Sequence, residues 1–190
     1  TTDYADDDFI VAPAKDVVTV MTTLMKHGPK RGYFPEPSKS VCICRTKSSL
    51  PAIQNILAAY NFVYVDGHRL LGGFIGDPAS REAWLKPKVA AWVTGIERLA
   101  KVAHRYPQTA YSALTKSYQH EWQYLLRVLP DCKEYFAPIE MALNNSFIPA
   151  VLDEHVPLSA DLMDQAALPV KMSGLGIPNP VASADDWYAT

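Results

Sequence analysis

Cysteine is scarce in this chain. Cys42, Cys44 and Cys132 are its three cysteines in 190 residues, an odd and sparse set that argues against a disulfide framework and for a reducing, intracellular setting. Glycine is also short, at 9 residues against 15 prolines, the reverse of the usual order; many helix starts and stops joined by stiff turns are expected. No apolar run approaches the roughly 20 residues that span a bilayer, and no basic-then-apolar segment opens the chain as a secretory signal. Internal repeats and low-complexity tracts are lacking too. The first residue is Thr1 rather than Met, which suggests a fragment of a longer chain.

What is present is the composition of a globular protein: 48% hydrophobic, 20% charged and 11% aromatic residues, in a length that suits one ordinary domain or two small ones. The net charge of −2 hides a segregation. Residues 1–25 carry Lys15 against Asp3, Asp6, Asp7, Asp8 and Asp16. Residues 26–105 carry thirteen Lys and Arg against five acids, and residues 106–190 carry four against ten. A basic stretch beside a tight acidic cluster is what a protein handling phosphates with a metal would need.

Periodicity places the elements. DYADDDFIVA (3–12) reads as a polar cluster running into a β-favouring segment, a strand with a turn near the aspartates. Lys15 to His27 is a helix, with Val17, Val20, Met21 and Leu24 at helical spacing and Gly28-Pro29 as its stop. Val41 to Arg45 reads as a strand, and Ser49 is placed to cap a helix with Pro51 in its first turn. Phe62–Asp66 and Arg69–Ile75 read as two strands turned at Asp66-Gly67. After Gly76-Asp77-Pro78 the period becomes helical. Leu85, Val89, Trp92, Ile96, Leu99 and Ala103 form one apolar stripe. Further helices are expected near 108–118, 120–129, 133–147 and 159–167, with prolines 130, 149, 157 and 169 between or beside them. The expected class is α+β in residues 1–76 followed by an all-α region, 77–190.

Several constellations fail on their own terms. His120-Glu121 begins the H-E-x-x-H zinc motif, but position 124 is Tyr. Cys42-x-Cys44 has no second ligand pair and reads as two buried strand cysteines. Asp6 to Asp8 does not open an EF-hand loop, because the required glycine is missing and Ile10 stands at a ligand position. The four tryptophans suit core packing better than base stacking.

Tyr4-Ala5-Asp6-Asp7 has the form Y-x-D-D, and adjacent carboxylates at a strand end suit hard divalent cations that must also meet phosphates. Further blocks follow in order: GPKRGYFPEPSKS (28–40), GHRLLGGFIG (67–76), EWQYLLRVLP (121–130) and LPVKMSGLGIPNP (168–180). Together with YADD, these blocks resemble the reverse transcriptases of LINE-like, non-long-terminal-repeat retroelements. SGLGI stands where GGLGI is usual, and position 8 is a further aspartate. The resemblance implies the C-terminal part of a polymerase palm, with β-hairpins and packed helices, followed by a helical thumb-like region. It implies two-metal nucleotidyl transfer onto a primer 3′ end, using Mg²⁺ or Mn²⁺, an RNA template, a DNA primer and deoxynucleoside triphosphates, with no membrane partner.

Carried over by position, Asp6 and Asp7 match the catalytic metal-binding carboxylates, and Tyr4 matches the aromatic near the primer end. Lys39 is the candidate for the lysine that meets departing pyrophosphate, with Lys30 and Arg31 as fallbacks. Leu71, Gly72 and Gly73 fall where a hairpin approaches the primer. Lys86 and Lys88, at the start of the first thumb-like helix, are candidates for nucleic-acid backbone contacts. The family's third catalytic aspartate and its nucleotide-binding blocks belong upstream of YADD, in the remainder of the polymerase, so the isolated chain is expected to be inactive. The alternative is a non-catalytic nucleic-acid-binding or helical interaction module derived from a degenerate element.

Overall fold

The computed structural model describes residues 2–4, 7–153 and 159–189, with residues up to 8 described by backbone alone. It is α+β and predominantly helical. Two units divide the chain, residues 1–68 and 69–190. Against the expected boundary at 76/77, the second unit takes in most of the hairpin that precedes the long helix.

In the first unit, β1 (Thr2–Tyr4) and β2 (Asp7–Phe9) pair antiparallel, with Thr2 opposite Phe9, Asp3 opposite Asp8 and Tyr4 opposite Asp7. Helix α1 (Ala14–His27) carries Asp16 in its first turn and Lys26 and His27 in its last, matching both ends of its dipole. It buries Met21. Gly28 ends it: a Cβ there would lie 2.5 Å from the Leu24 carbonyl oxygen and 2.7 Å from that of Tyr33. The Tyr60 hydroxyl donates to the Val18 carbonyl at 3.2 Å and lies 3.0 Å from Thr22 Oγ1, which ties residue 60 to α1.

Strand β3 (Val41–Ile43) and β4 (Val63–Val65) run parallel, with Cys42 opposite Tyr64. Parallel strands need a crossover, here built around α2 (Leu50–Ile56). This corrects the expectation of a hairpin turned at Asp66-Gly67: the segment 62–66 pairs back to β3 instead. Ser49 occupies the N-cap of α2 without capping it, because its hydroxyl donates to the Thr46 carbonyl at 2.8 Å.

The hairpin forms one step later. Strand β5 (Gly67–Leu70) and β6 (Gly73–Gly76) pair across Leu71-Gly72. Both turn residues have positive φ, 47° and 83°, the signature of a turn whose twist matches the flanking strands. Helix α3 (Pro78–Ala103) starts where Asp77 accepts the Ser80 amide at 2.7 Å and Pro78 fills the first turn, a cap worth about 1 kcal/mol. Its buried stripe is Leu85, Val89, Trp92, Ile96, Ala100 and Ala103, with Leu99 half-buried at its edge.

Helix α4 (Pro107–Ala113) continues without a break through a π-helical turn, Leu114–Tyr118, into α5 (Gln119–Val128). The two helices expected here are one. Likewise α6 (Ala137–Ala142) passes through a second π turn, Leu143–Phe147, into α7 (Ile148–Leu152). Pro149, expected beside the 133–147 helix, sits within helical backbone instead. A proline ring clashes with the carbonyl four residues back, and the widened π turn immediately before it relieves that crowding. Helices α8 (Ala160–Ala167), capped by Ser159, and α9 (Ala184–Ala189) complete the unit. Its core joins Trp92, Trp122 and Phe136 to Leu85, Ile96, Leu114, Leu126, Ile139, Leu143 and Phe147. The Trp92 ring stacks at 6.4 Å on Phe136 and tilts at 6.2 Å against Trp122.

Candidate functional site

The first and last residues of the Y-x-D-D block lie in the β1–β2 pair. Tyr4 ends β1, Asp7 starts β2, and the two residues stand opposite each other in an antiparallel register. Asp6, the other expected carboxylate, lies outside the described residues. Among the described residues, no three His, Cys, Asp or Glu side chains come together as a metal-holding group.

Lys39 closes a 3₁₀ turn, Pro37–Lys39, and its ammonium lies 2.6 Å from Glu36, with both side chains largely exposed. An exposed pair of this kind is weak and exchangeable. Lys30 and Arg31 sit in another exposed 3₁₀ turn, Pro29–Arg31. This loop also displays Phe34, which is 73% exposed.

In the second unit the structure draws Leu71, Gly72 and Gly73 onto α5. Tyr124 donates its hydroxyl to the Leu71 carbonyl at 2.5 Å. A Cβ on Gly72 would meet the Tyr124 ring at 3.2 Å, and one on Gly73 would meet Val128 at 3.3 Å. The hairpin therefore packs closely on this helix at both glycines, and Gly72 also holds a left-handed backbone. The Leu71 side chain remains 53% exposed in a left-handed backbone. Tyr124 had no signal in the sequence, since its partner lies far upstream.

Lys86 and Lys88 are both occupied locally. Lys86 lies 2.5 Å from Glu82 on the preceding turn, and that hydrogen bond and charge raise the lysine pKa while lowering that of the carboxyl. The Lys88 ammonium sits 4.9 Å from the Trp84 ring centroid, and Trp84 stacks on Phe74 of β6 at 5.3 Å.

The remaining blocks are internal fittings. Glu121, the acid of the incomplete zinc motif, accepts the Trp92 indole N–H at 2.7 Å. In 168–180, the Leu175 and Ile177 amides return to the Ala166 carbonyl at the end of α8. Tyr111 donates to the Leu175 carbonyl at 2.7 Å, and the buried Gln119 to that of Gly176 at 3.4 Å. Asn179 accepts the Val181 and Ala182 amides and donates to Glu140.

Burial pushes the Cys42 thiol up to about 11, and the neighbouring Cys44 adds to the effect. Tyr64 is raised by burial and by the same two cysteines. Cys132 is pushed up to about 11 by burial. Among the described residues, no helix is long and apolar enough to cross a membrane. Compared with protein-family models, curated proteins and solved structures, the chain has no match.

Proposed function

We propose that this chain is the C-terminal part of an RNA-directed DNA polymerase: the later half of a palm and a helical thumb-like region. The observation that carries the reading is the β1–β2 register, in which Tyr4 of the Y-x-D-D block stands opposite Asp7 across an antiparallel pair. Adjacent carboxylates at such a strand end converge where a primer terminus and a triphosphate meet.

Asp6 and Asp7 supply hard oxygen donors of the kind Mg²⁺ takes, and these two would hold it together with ligands from the rest of the polymerase. When bound, the ion neutralises phosphate charge and acidifies the primer hydroxyl. The bond from the primer O3′ to the α-phosphorus forms, the bond to pyrophosphate breaks, and the hydroxyl proton passes to solvent. Lys39 exchanges Glu36 for the departing pyrophosphate, whose developing charge is the stronger attraction. The basic stretch 26–105 holds phosphates without reading sequence.

The test uses the chain joined to the upstream polymerase residues. Asp6→Asn is expected to abolish primer extension while primer–template affinity is kept; full extension by that variant removes Asp6 from the chemistry. A second reading, a non-catalytic nucleic-acid-binding or helical interaction module, draws on the local pairing of Lys39, Lys86 and Lys88. It is favoured if the joined protein binds primer–template and does not extend it at any divalent-ion concentration.

A further inference from the structure

In the second unit, α3 and the continuous helix of α4 and its π turn leave an open groove between them, of about 380 Å³. Gly95, Leu99 and Val102 line one wall at the i, i+4, i+7 spacing of a single helix face, and Ala113 and Ser117 line the other. Val102 is 42% exposed, and Ala113 and Ser117 are exposed too, so this largely apolar strip meets solvent. Tyr118 also lines it. The Tyr118 hydroxyl donates to the Ala91 carbonyl of α3 at 3.2 Å, and a Cβ on Gly95 would collide with that hydroxyl. The glycine thus lets the ring lie against α3, which fixes how the two walls meet.

Charge narrows what such a groove can take. Residues 91–118, which form both walls, carry Arg98, Lys101, Arg105 and Lys116 against Glu97 as their one acid, whereas residues 119–190 carry three Lys and Arg against ten acids. All four cations are exposed, and among the described residues none of them makes an ion pair. Arg98 lines the groove itself. The backbone groups of both walls are used inside their own helices, so an extended peptide finds no ladder to join, while a helix arrives with its backbone already satisfied. Phosphates would meet the cations but bring no apolar group to cover Leu99 and Val102. A helix that carries carboxylates beside an apolar face meets both demands.

We propose that this groove docks a short acidic amphipathic helix of a partner protein. Gly95 to Val102 covers about 10 Å, or two helical turns, which matches apolar anchors at i, i+3 or i+4, and i+7 of the visitor. These anchors cover Leu99 and Val102. The small side chains at positions 95, 113 and 117 admit close approach, and carboxylates on the visitor's flanks meet Arg98 and the neighbouring cations. Apolar burial holds the helix, and charge selects it over other amphipathic helices. Of the basic stretch, this assigns the end of α3 to protein and leaves its start, with Lys86 and Lys88, to phosphates.

The experiment uses the 190-residue chain and three fluorescein-labelled synthetic peptides. One is an acidic helix with Leu and Ala on one face and Glu elsewhere, one has Lys in place of Glu, and one scrambles the acidic sequence so that the apolar face is lost. By anisotropy the acidic helix is expected to bind one to one, and the other two about tenfold more weakly or less. Ala113→Phe and Ser117→Phe fill the groove from exposed positions, and each should weaken binding about tenfold. Arg98→Glu/Lys101→Glu should weaken it as much and remove its salt dependence. A benzophenone on the apolar face of the acidic peptide should cross-link the wild-type chain within residues 95–118, a readout independent of whether the variants fold. The proposal is overturned if the acidic helix does not bind, if the scrambled peptide binds equally, or if the cross-links fall elsewhere. It is overturned as well if an oligonucleotide binds and the Phe variants lose it, which gives the groove to nucleic acid. A dimer in sedimentation that Ala113→Phe dissolves would overturn it by making a second copy the occupant.

Discussion

The two units of this chain spend their hydrophobic residues differently. Residues 69–190 bury a continuous cluster that includes Trp92, Trp122, Phe136 and Phe147. In residues 1–68, Met21 and Leu57 are the buried apolar side chains among those described, while Val11, Phe34 and Val63 stand 81%, 73% and 48% exposed. A two-stranded sheet is marginal by itself, and parallel strands such as β3 and β4 are ordinarily covered on both faces. The candidate carboxylates and Lys39 thus belong to the sparsely packed unit. Binding and chemistry commonly sit at the less stable end of a molecule.

The contrast is sharpest for large-to-small substitutions. Phe136 is fully buried between α3 and its neighbours, and Phe136→Ala should cost about 3–5 kcal/mol. Urea unfolding followed by tryptophan fluorescence measures it cleanly, because all four tryptophans lie in residues 69–190. Leu57→Ala, in a unit with one other buried apolar side chain, should fall toward about 2 kcal/mol. Equal costs would mean that the first unit is as tightly packed as the second.

Two glycines repeat the comparison at the backbone. A Cβ on Gly174 would sit 2.0 Å from the Leu168 carbonyl oxygen and 2.7 Å from that of Gln165. Both are main-chain atoms, so the loop itself must move, and Gly174→Ala should cost about 2–3 kcal/mol. Gly32, in the first unit, has φ +81° and nothing within 4 Å, so Gly32→Ala should cost only the left-handed penalty of about 1–2 kcal/mol. Thermal unfolding of both variants ranks them, and a larger loss for Gly32→Ala would reverse the assignment of tight and loose regions.

The same contrast marks how far the sequence could be read. The helical stripe of α3 was legible because Leu85 through Ala103 repeat at one period, and Gly76-Asp77-Pro78 announces its start. The β3–β4 pairing was not, since strands that follow each other closely usually make a hairpin and Asp66-Gly67 offers a turn. Nothing local says that Val63 pairs with Val41. The true turn, Leu71-Gly72, was masked by leucine, a residue that left-handed backbone disfavours. At the candidate site the blocks were visible as blocks, but their anchoring was not. Tyr124 holds 71–73, while Tyr111, Gln119 and Glu140 hold 175–179, and these contacts join residues tens of positions apart. The roles proposed for Asp6, Asp7 and Lys39 rest on resemblance to a family, which local spacing alone does not supply.

A smaller effect separates the units by pH. The Cys132 pKa rises from 9.0 to about 11 on folding, so between those values the folded form keeps a proton that the unfolded chain releases. Stability from this thiol is full below about pH 9 and falls as pH rises toward 11. After allowance for solvent screening, the loss is on the order of 1 kcal/mol. Cys132→Ala should flatten the alkaline decline of the tryptophan-detected urea midpoint. Cys42→Ser should leave that decline as it is, because Cys42 lies in the other unit. A decline unchanged by Cys132→Ala would assign the alkaline loss to other groups.

The smallest expected change is also the one that bears on nucleic acid. If α3 meets a duplex, neutralising Lys86 and Lys88 removes cations that would release counterions, each worth about 0.9 in the slope of log affinity against log salt. Lys86 must first leave Glu82, and Lys88 must leave Trp84. Part of each charge is thereby spent inside the chain. Lys86→Gln/Lys88→Gln should flatten the slope by less than about 1.8, and by the same amount for unrelated sequences, since phosphate contacts position rather than specify. Glu82→Gln frees Lys86 and should steepen the slope. An anisotropy titration of the three proteins over a salt series gives the answer. If the double variant and Glu82→Gln both match the wild type, the start of α3 is off the nucleic acid and the thumb-like assignment of that end fails. If Glu82→Gln alone steepens the slope, the local pair is a brake on binding, and the second unit meets nucleic acid through a face whose charge the fold itself holds in reserve.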